Sequence, residues 1–312
     1  MADGWGDTPV SPPTALVLPR QYQPASQLHR AGANLRGADL SHENLNRVDL
    51  TGADLRAANL EGTQLVDAQM ADVKLSGATL AYANLTAASL RRAQLLGTVL
   101  TNTNLHQAIL FQANLAGANL TEVELDDANL TAADLSYALL HRSNLVGANF
   151  TRANMYRTSA NGSEMYNIRA DHAQMIEAQL QKCDLRQATL KQVDLSGANL
   201  TGANLNQTQL IHVKAPGISL IQANLVRARF KHANLAQANL EESLMLHTIL
   251  IDTDLSGTNL NKAHLDYATI RRSQLHGISW EQVSVIGTHF EQPIGLSSRE
   301  KKVLRSQGAI IS

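Results

Sequence analysis

The residues closest in type and spacing to a metal site are two histidines and an aspartate. His212, His232 and Asp252 follow one another at intervals of twenty residues. Imidazole nitrogens and carboxylate oxygens are ordinary ligands of divalent transition metals. A metal site also needs ligands that converge on one point and neighbours that hold them there. Whether these three side chains converge depends on the elements that carry them.

Other residue patterns that perform chemistry are missing from the sequence. It contains no glycine-rich phosphate loop, paired zinc motif or nucleophile elbow. The one cysteine, Cys183, stands where small side chains recur, which predicts a buried substitute for alanine. Catalysis requires a concave site with converging groups, and nothing here predicts one. We therefore expect neither an enzyme nor a bound cofactor.

Composition narrows the class of protein. Of the 312 residues 44% are hydrophobic but only 4% are aromatic, and the net charge is −1. A single cysteine excludes a disulfide framework and fits a reducing compartment. No apolar run approaches the roughly 18 residues of a membrane helix, and the first residues lack the features of a secretory signal. The sequence predicts a cytoplasmic protein without membrane insertion.

The elements that carry these residues are dictated by a five-residue repeat. Counting in fives from Leu35 to Phe290 gives 52 positions without a slip in phase, and 38 of them are leucine. A small residue stands two places before almost every such centre, a polar residue directly before it, and glycine often two places after it. A helix repeats its apolar face every 3.6 residues and a strand every 2, so neither explains this period.

A square coil explains the period. If each pentapeptide forms one side, with the centre and the small residue inward, four sides close a coil of 20 residues. Coils stacked at about 4.8 Å then give a rod of about 13 coils, on the order of 60 Å long. In such a rod residues 20 apart lie above one another. His212, His232 and Asp252 would be parallel rather than convergent, so we predict no metal site.

The motif resembles the pentapeptide repeat family. The pattern Ala-(Asp/Asn)-Leu-X-X occurs at Ala33–Leu35, Ala38–Leu40, Ala53–Leu55, Ala118–Leu120 and Ala198–Leu200. This resemblance implies a right-handed quadrilateral β-helix, and it says little about function because fold and function are separable. Similar leucine-centred members are especially abundant in cyanobacteria.

Three segments are expected. Residues 1–30 hold five of the seven prolines and predict an irregular arm, in which Leu16, Val17, Leu18 and Tyr22 could cover the first coil. Residues 31–292 form the β-helix. Residues 293–312 predict a short helix with a capping box from Ser297 to Glu300, ended by Gly308. This helix should cap the last coil with Leu296, Val303 and Leu304 inward, or serve as a dimerisation or docking element.

Two neighbouring sides of the predicted rod carry opposite charge. One side, here called the basic side, has outward Arg91, Arg92, Arg152, Arg169, Lys191, Arg229, Lys231, Arg271 and Arg272 against Asp49, Asp72, Asp171, Asp252 and Glu291. The adjacent side, the acidic side, carries Asp67, Glu124, Asp126, Asp127, Glu164, Asp184 and Asp266 against three arginines. Such sides are either ordinary solvated surface or steer a charged partner.

Apolar residues at outward positions add a second candidate surface. Leu244, Leu246, Ile249 and Ile251 lie close to one another on two adjacent sides, and Ile109 and Phe111 form a smaller cluster on the basic side. Exposed apolar patches often mark contact surfaces; scattered exposure and cover by a terminal segment are the alternatives. The residues predicted to bind partners are Leu244, Leu246, Ile249, Ile251, Arg91, Arg92, Phe111, Asp126 and Asp127.

Centres alternate between methionine and alanine from Met155 to Met175, with Tyr156 and Tyr166 outside. The alanines would underfill the tube unless a neighbour such as Ile168 is enlarged. This segment is either locally repacked or adjustable and used in binding.

These features favour a non-enzymatic protein–protein interaction scaffold or regulatory adaptor. The alternative resembles the gyrase-binding quinolone-resistance members of the family, which imitate DNA, but a net charge of −1 disfavours it. Nucleic acid binding is disfavoured by the neutral chain and by basic residues without interleaved aromatics. We expect a protein partner, no small-molecule substrate, and a monomer or a homodimer through a terminal cap.

Overall fold

A stack of coils, each of 20 residues, makes up most of the described structure. A computed structural model describes residues 30–312. Parallel β-bridges join residues that are 20 positions apart, as in Asn34 with Asp54 and Asp39 with Asn59. Four such ladders, one on each side of the coil, run along the stack, so the chain is a parallel β-solenoid. The predicted fold class and the 20-residue coil are confirmed.

Each side of a coil ends in a tight turn. The amide of Ala38 donates to the carbonyl of Leu35 at 3.0 Å, closing a four-residue turn, and the same bond recurs from unit to unit. The second residue after almost every centre takes a left-handed conformation, with φ +65° at Gly37; Gln282 is the exception among residues 30–292. Glycine adopts this conformation without strain. Residues with side chains adopt it as well, including Arg92 (φ 54°) and Asp127 (φ 56°).

The polar residue before each centre stabilises the turn that follows. The Asp49 carboxylate accepts the amide of Thr51 at 3.0 Å, and the Asn129 side chain accepts the amide of Thr131 at 3.0 Å. Short Asp and Asn side chains reach a backbone amide two residues on without strain. The predicted role of these residues as backbone acceptors is confirmed.

The interior is filled by the centres and the small residues between them. Leu55, Leu60 and Leu65 are fully buried, as is Phe150, one of the largest core side chains. Where the small residue is Thr or Ser, its hydroxyl usually donates to a carbonyl of the previous coil: Thr103 Oγ1 lies 2.7 Å from the Leu80 carbonyl oxygen. These hydroxyls satisfy buried oxygen atoms and link neighbouring coils. Thr253 and Thr258 bond within their own coil instead.

Extended strands form on the basic side toward the C-terminus. They are β1 (Gln209–Ile211), β2 (Arg229–Lys231), β3 (Ile249–Ile251), β4 (Thr269–Arg271) and β5 (His289–Glu291). They pair in parallel in chain order, with Gln209 opposite Arg229 and Arg229 opposite Ile249. A sixth strand, β6 (Ile310–Ile311), adds to β5 in parallel. The sequence did not predict β6.

A helix lies between β5 and β6. Helix α1 (Ser298–Ser306) begins at N-cap Ser297, whose side chain and that of Glu300 form the predicted capping box. Gly308 follows the helix with φ +95°. Leu296 and Leu304 are buried as expected, but Val303 is 38% exposed, so the inward prediction for Val303 is wrong. Adjacent helical residues point about 100° apart, and Leu304 takes the inward direction.

The predicted N-terminal arm, residues 1–30, lies outside the described residues except for Arg30. No helix within residues 30–312 has the length and apolar character needed to cross a bilayer.

Candidate interaction surfaces

The apolar residues predicted to bind a partner lie together in the structure. Leu244 is 42% exposed, and Leu246, Ile249 and Ile251 are half-buried. Ile249 and Ile251 flank the buried Leu250 on β3, so both point outward from the basic side. Leu244 and Leu246 flank the buried centre Met245 on the acidic side. These four residues form one patch around a corner of the rod, here called the corner patch.

More exposed hydrophobic side chains continue from the corner patch toward the C-terminal end. Tyr267 and Ile286 are each 56% exposed, and Ile310 on β6 is 51% exposed. The His247 ring stacks on Tyr267 with ring centroids 5.4 Å apart. Sequence reasoning missed this continuation, although Tyr267 and Ile286 occupy outward positions of the same repeat.

Arg91 and Arg92, adjacent in sequence, differ in environment. Both are exposed. Arg92 binds Asp72 on the previous coil through two bonds, Nε to Oδ1 at 2.8 Å and Nη2 to Oδ2 at 2.6 Å. This pairing lowers the pKa of Asp72 below its ordinary value. Arg91 has no such partner among residues 30–312, and Phe111, half-buried one coil further on, lies beside this pair on the basic side.

Asp126 and Asp127 meet a histidine that sequence reasoning missed. His106 lies 20 residues before Asp126, and its Nδ1 contacts the Asp126 carboxylate. Ligand atoms of His106, Asp126 and Asp127 all lie within 4.8 Å of one another, a spacing that could hold a metal ion. The 20-residue offset was the available signal. The contact between His106 and Asp126 also serves as an ion pair when the imidazole is protonated.

The histidines of the column His212, His232 and Asp252 are stacked as the coil geometry predicts. The His212 and His232 rings have centroids 4.7 Å apart and an interplanar angle of 17°. His232 Nδ1 lies 3.6 Å from Asp252, and Arg272 Nε donates to Asp252 at 2.7 Å. The bond from Arg272 lowers the pKa of Asp252. Parallel rings do not direct their nitrogens to one point, and Asp252 is already engaged.

The segment from Met155 to Met175 keeps the regular coil. Its alanine centres, Ala160 and Ala170, are fully buried, and so is Ile168 at a small-residue position. Outside, the Tyr156 ring packs edge-on against Tyr137 at 5.5 Å. The segment is therefore repacked without a break in the ladders.

Cys183 is buried as predicted. Its thiol donates to the Ala160 carbonyl at 2.9 Å, and burial raises its pKa to about 11. A thiol that stays protonated at neutral pH is a poor nucleophile.

The described structure is a parallel β-solenoid with a leucine-filled interior, and its charged and exposed apolar side chains lie on its outer sides. The family model of pentapeptide repeats matches in eight copies, the first over residues 33–69 and the last over 246–278. The chain belongs to the pentapeptide repeat family.

Solved structures of this family resemble the chain at low identity. HetL of the cyanobacterium Nostoc sp. strain PCC 7120, described as involved in heterocyst differentiation regulation, is 27% identical, with 70% of this chain and 91% of that chain covered and a TM-score of 0.36. QnrB1, a plasmid-mediated fluoroquinolone resistance protein, is 14% identical over 54% of this chain and 96% of that chain, with a TM-score of 0.39. The comparison with curated proteins gives no match.

Proposed function

We propose that this protein is a non-enzymatic scaffold or regulatory adaptor that docks a protein partner through the outer sides of the rod. The corner patch carries this proposal. An exposed Leu244 beside half-buried Leu246, Ile249 and Ile251 presents apolar surface of the kind that protein contacts use. A rod whose coils are joined by continuous hydrogen-bonded ladders is rigid, so docking would order few side chains and little backbone.

Imitation of DNA, the alternative considered from sequence, lacks a supporting charge distribution. A duplex presents phosphate charge along its whole length, whereas this chain has a net charge of −1 and a basic side next to the acidic one.

Quantitative affinity capture from native lysate tests the proposal. The bait is the full chain, either unchanged or with Leu244→Ser, Leu246→Ser, Ile249→Thr and Ile251→Thr. The matched control is Leu96→Ser with Leu139→Ser, which removes exposed apolar surface elsewhere (53% and 40% exposed). We expect one protein to be lost from the corner-patch variant and kept by the control. Equal capture by all three baits would contradict the proposal, provided that thermal unfolding shows all three folded.

A further inference from the structure

Nine of the lysines and arginines within residues 30–312 form an ion pair with an acid, usually one coil away. Arg142 Nη2 lies 2.7 Å from Glu122, and Lys262 Nζ lies 3.1 Å from Glu242. Pairs of this kind stabilise the rod by little, but they remove free positive charge from the surface. A cluster of neighbouring cations without such partners therefore leaves positive charge free on one part of the surface.

The C-terminal half of the basic side carries such a cluster. Within residues 30–312, its cations Lys191, Arg229, Lys231 and Arg271 form no ion pair with a carboxylate. Neither does Arg227, which belongs to the acidic side but lines one cleft with Arg229. Only Arg272, through Asp252, is neutralised there. The Nε of Arg271 also has no hydrogen-bond partner, but it is buried. The exposed Lys191, Arg229 and Lys231 therefore offer the free donors to an acceptor from outside.

These cations alternate with isoleucine along the rod. Ile211 pairs with Lys231, Lys231 with Ile251, and Ile251 with Arg271. At about 4.8 Å for each coil, the charges of Lys231 and Arg271 lie about 10 Å apart, with the apolar surface of Ile251 between them. This alternation, with Ile249 beside it, is here called the cation–isoleucine ladder.

A cleft opens beside the ladder. Its lining residues are Gln207, Gln209, Arg227 and Arg229, around a volume of about 510 Å³. Two guanidinium groups without a carboxylate partner and two amide groups are the donors that bind carboxylates in protein complexes. The cleft thus offers a carboxylate site next to apolar surface.

We propose that the cation–isoleucine ladder and this cleft dock an acidic protein segment that also carries aliphatic side chains. The glutamates or aspartates of that segment bind Arg229, Lys231 and Arg271, and its aliphatic side chains cover Ile211 and Ile251. Nucleic acid fits less well, because a phosphate backbone would leave the isoleucines uncovered. This inference rests on the proposed scaffold function and specifies its partner.

Fluorescence anisotropy with synthetic peptides tests the inference. One labelled probe is a polyglutamate peptide with leucines at helical spacing; the second has serine in place of each leucine. The variant is Arg229→Glu with Lys231→Glu. The control is Arg36→Glu with Lys74→Glu, which makes the same charge change at cations on another side that also lack ion pairs. At physiological ionic strength we expect the leucine probe to bind the unchanged chain, to lose about tenfold or more with the variant, and to be unaffected by the control.

Four outcomes would overturn the inference. If variant and control lose affinity for the leucine probe equally, the effect comes from net charge alone. If both probes bind the unchanged chain equally, the isoleucines play no part in binding. Tighter binding of a duplex oligonucleotide of equal charge would assign the surface to nucleic acid. If neither peptide binds while lysate capture still depends on Leu244, this inference fails and the scaffold function stands; if that capture also fails, both are wrong.

Discussion

At Ile168 and Ala170 the usual order of a small residue followed by a large centre is reversed. Ile168 occupies a small-residue position and Ala170 a centre, and both are fully buried. Along their columns Ala170 follows the large Phe150 by 20 residues, and Ile168 follows the small Ala148. Because Ile168 and Ala170 point into the interior of the same coil, we expect the isoleucine to fill the volume that the alanine centre leaves.

Single substitutions should be costly here and the double substitution much less so. Ile168→Ala leaves a cavity and should cost about 2–5 kcal/mol. Ala170→Leu adds volume beside Phe150 and should cost about 1–3 kcal/mol. The double variant conserves the number of core carbon atoms, and volume-conserving exchanges cost below about 1.5 kcal/mol.

Denaturant unfolding of the four proteins gives the coupling energy. Because solenoids can unfold in steps, coincident circular dichroism and fluorescence transitions must first establish one cooperative transition. A double variant destabilised by the sum of the two single effects would refute the compensation between Ile168 and Ala170.

Three further predictions concern single side chains. Thr103→Val removes the hydroxyl that donates to the Leu80 carbonyl at 2.7 Å. It should cost about 0.5–1.5 kcal/mol in denaturant unfolding, the net contribution of one hydrogen bond, because that oxygen still accepts the amide of Ala83; no change would contradict a role for this bond. Cys183, with its pKa raised to about 11, should react with a thiol reagent only after unfolding, and rapid labelling of the native chain would show that it is accessible. Arg56 lowers the pKa of Asp54 from 3.8 to about 2, so the stability from this pair is present above pH 3.8 and is lost as pH falls through about 2. Arg56→Ala should flatten the plot of unfolding free energy against pH in that range, and an unchanged plot would contradict this prediction.

The sequence predicted the fold well because the repeat allows no slip. Each centre and each small residue points inward, so one phase orders the chain from Leu35 to Phe290, and the 20-residue offset follows from four sides. That offset also places Asp72 before Arg92 and His106 before Asp126, contacts that could have been read from the sequence.

Features outside the repeat were less predictable. Strand β6 is two residues long, and it forms by pairing with the edge of β5. No pattern in the local sequence predicts this pairing. Val303 was placed inward because it is apolar, but the direction of Leu304 excluded it. The outward direction of the side chains on the interaction surfaces could be predicted from their position in the repeat. Their ion pairing was not predicted, because it depends on three-dimensional neighbours: within residues 30–312, Arg92 pairs with Asp72 and Arg91 has no such pair.

Site-specific photocrosslinking tests the central claim most directly. A photoreactive amino acid replaces Leu244 in the corner patch or, as the matched control, Leu96, which is similarly exposed on another side. After irradiation in native lysate, a scaffold that docks its partner at the corner patch predicts one discrete crosslinked product from position 244 and none from position 96. The same products from both positions, or none from position 244, would contradict the account.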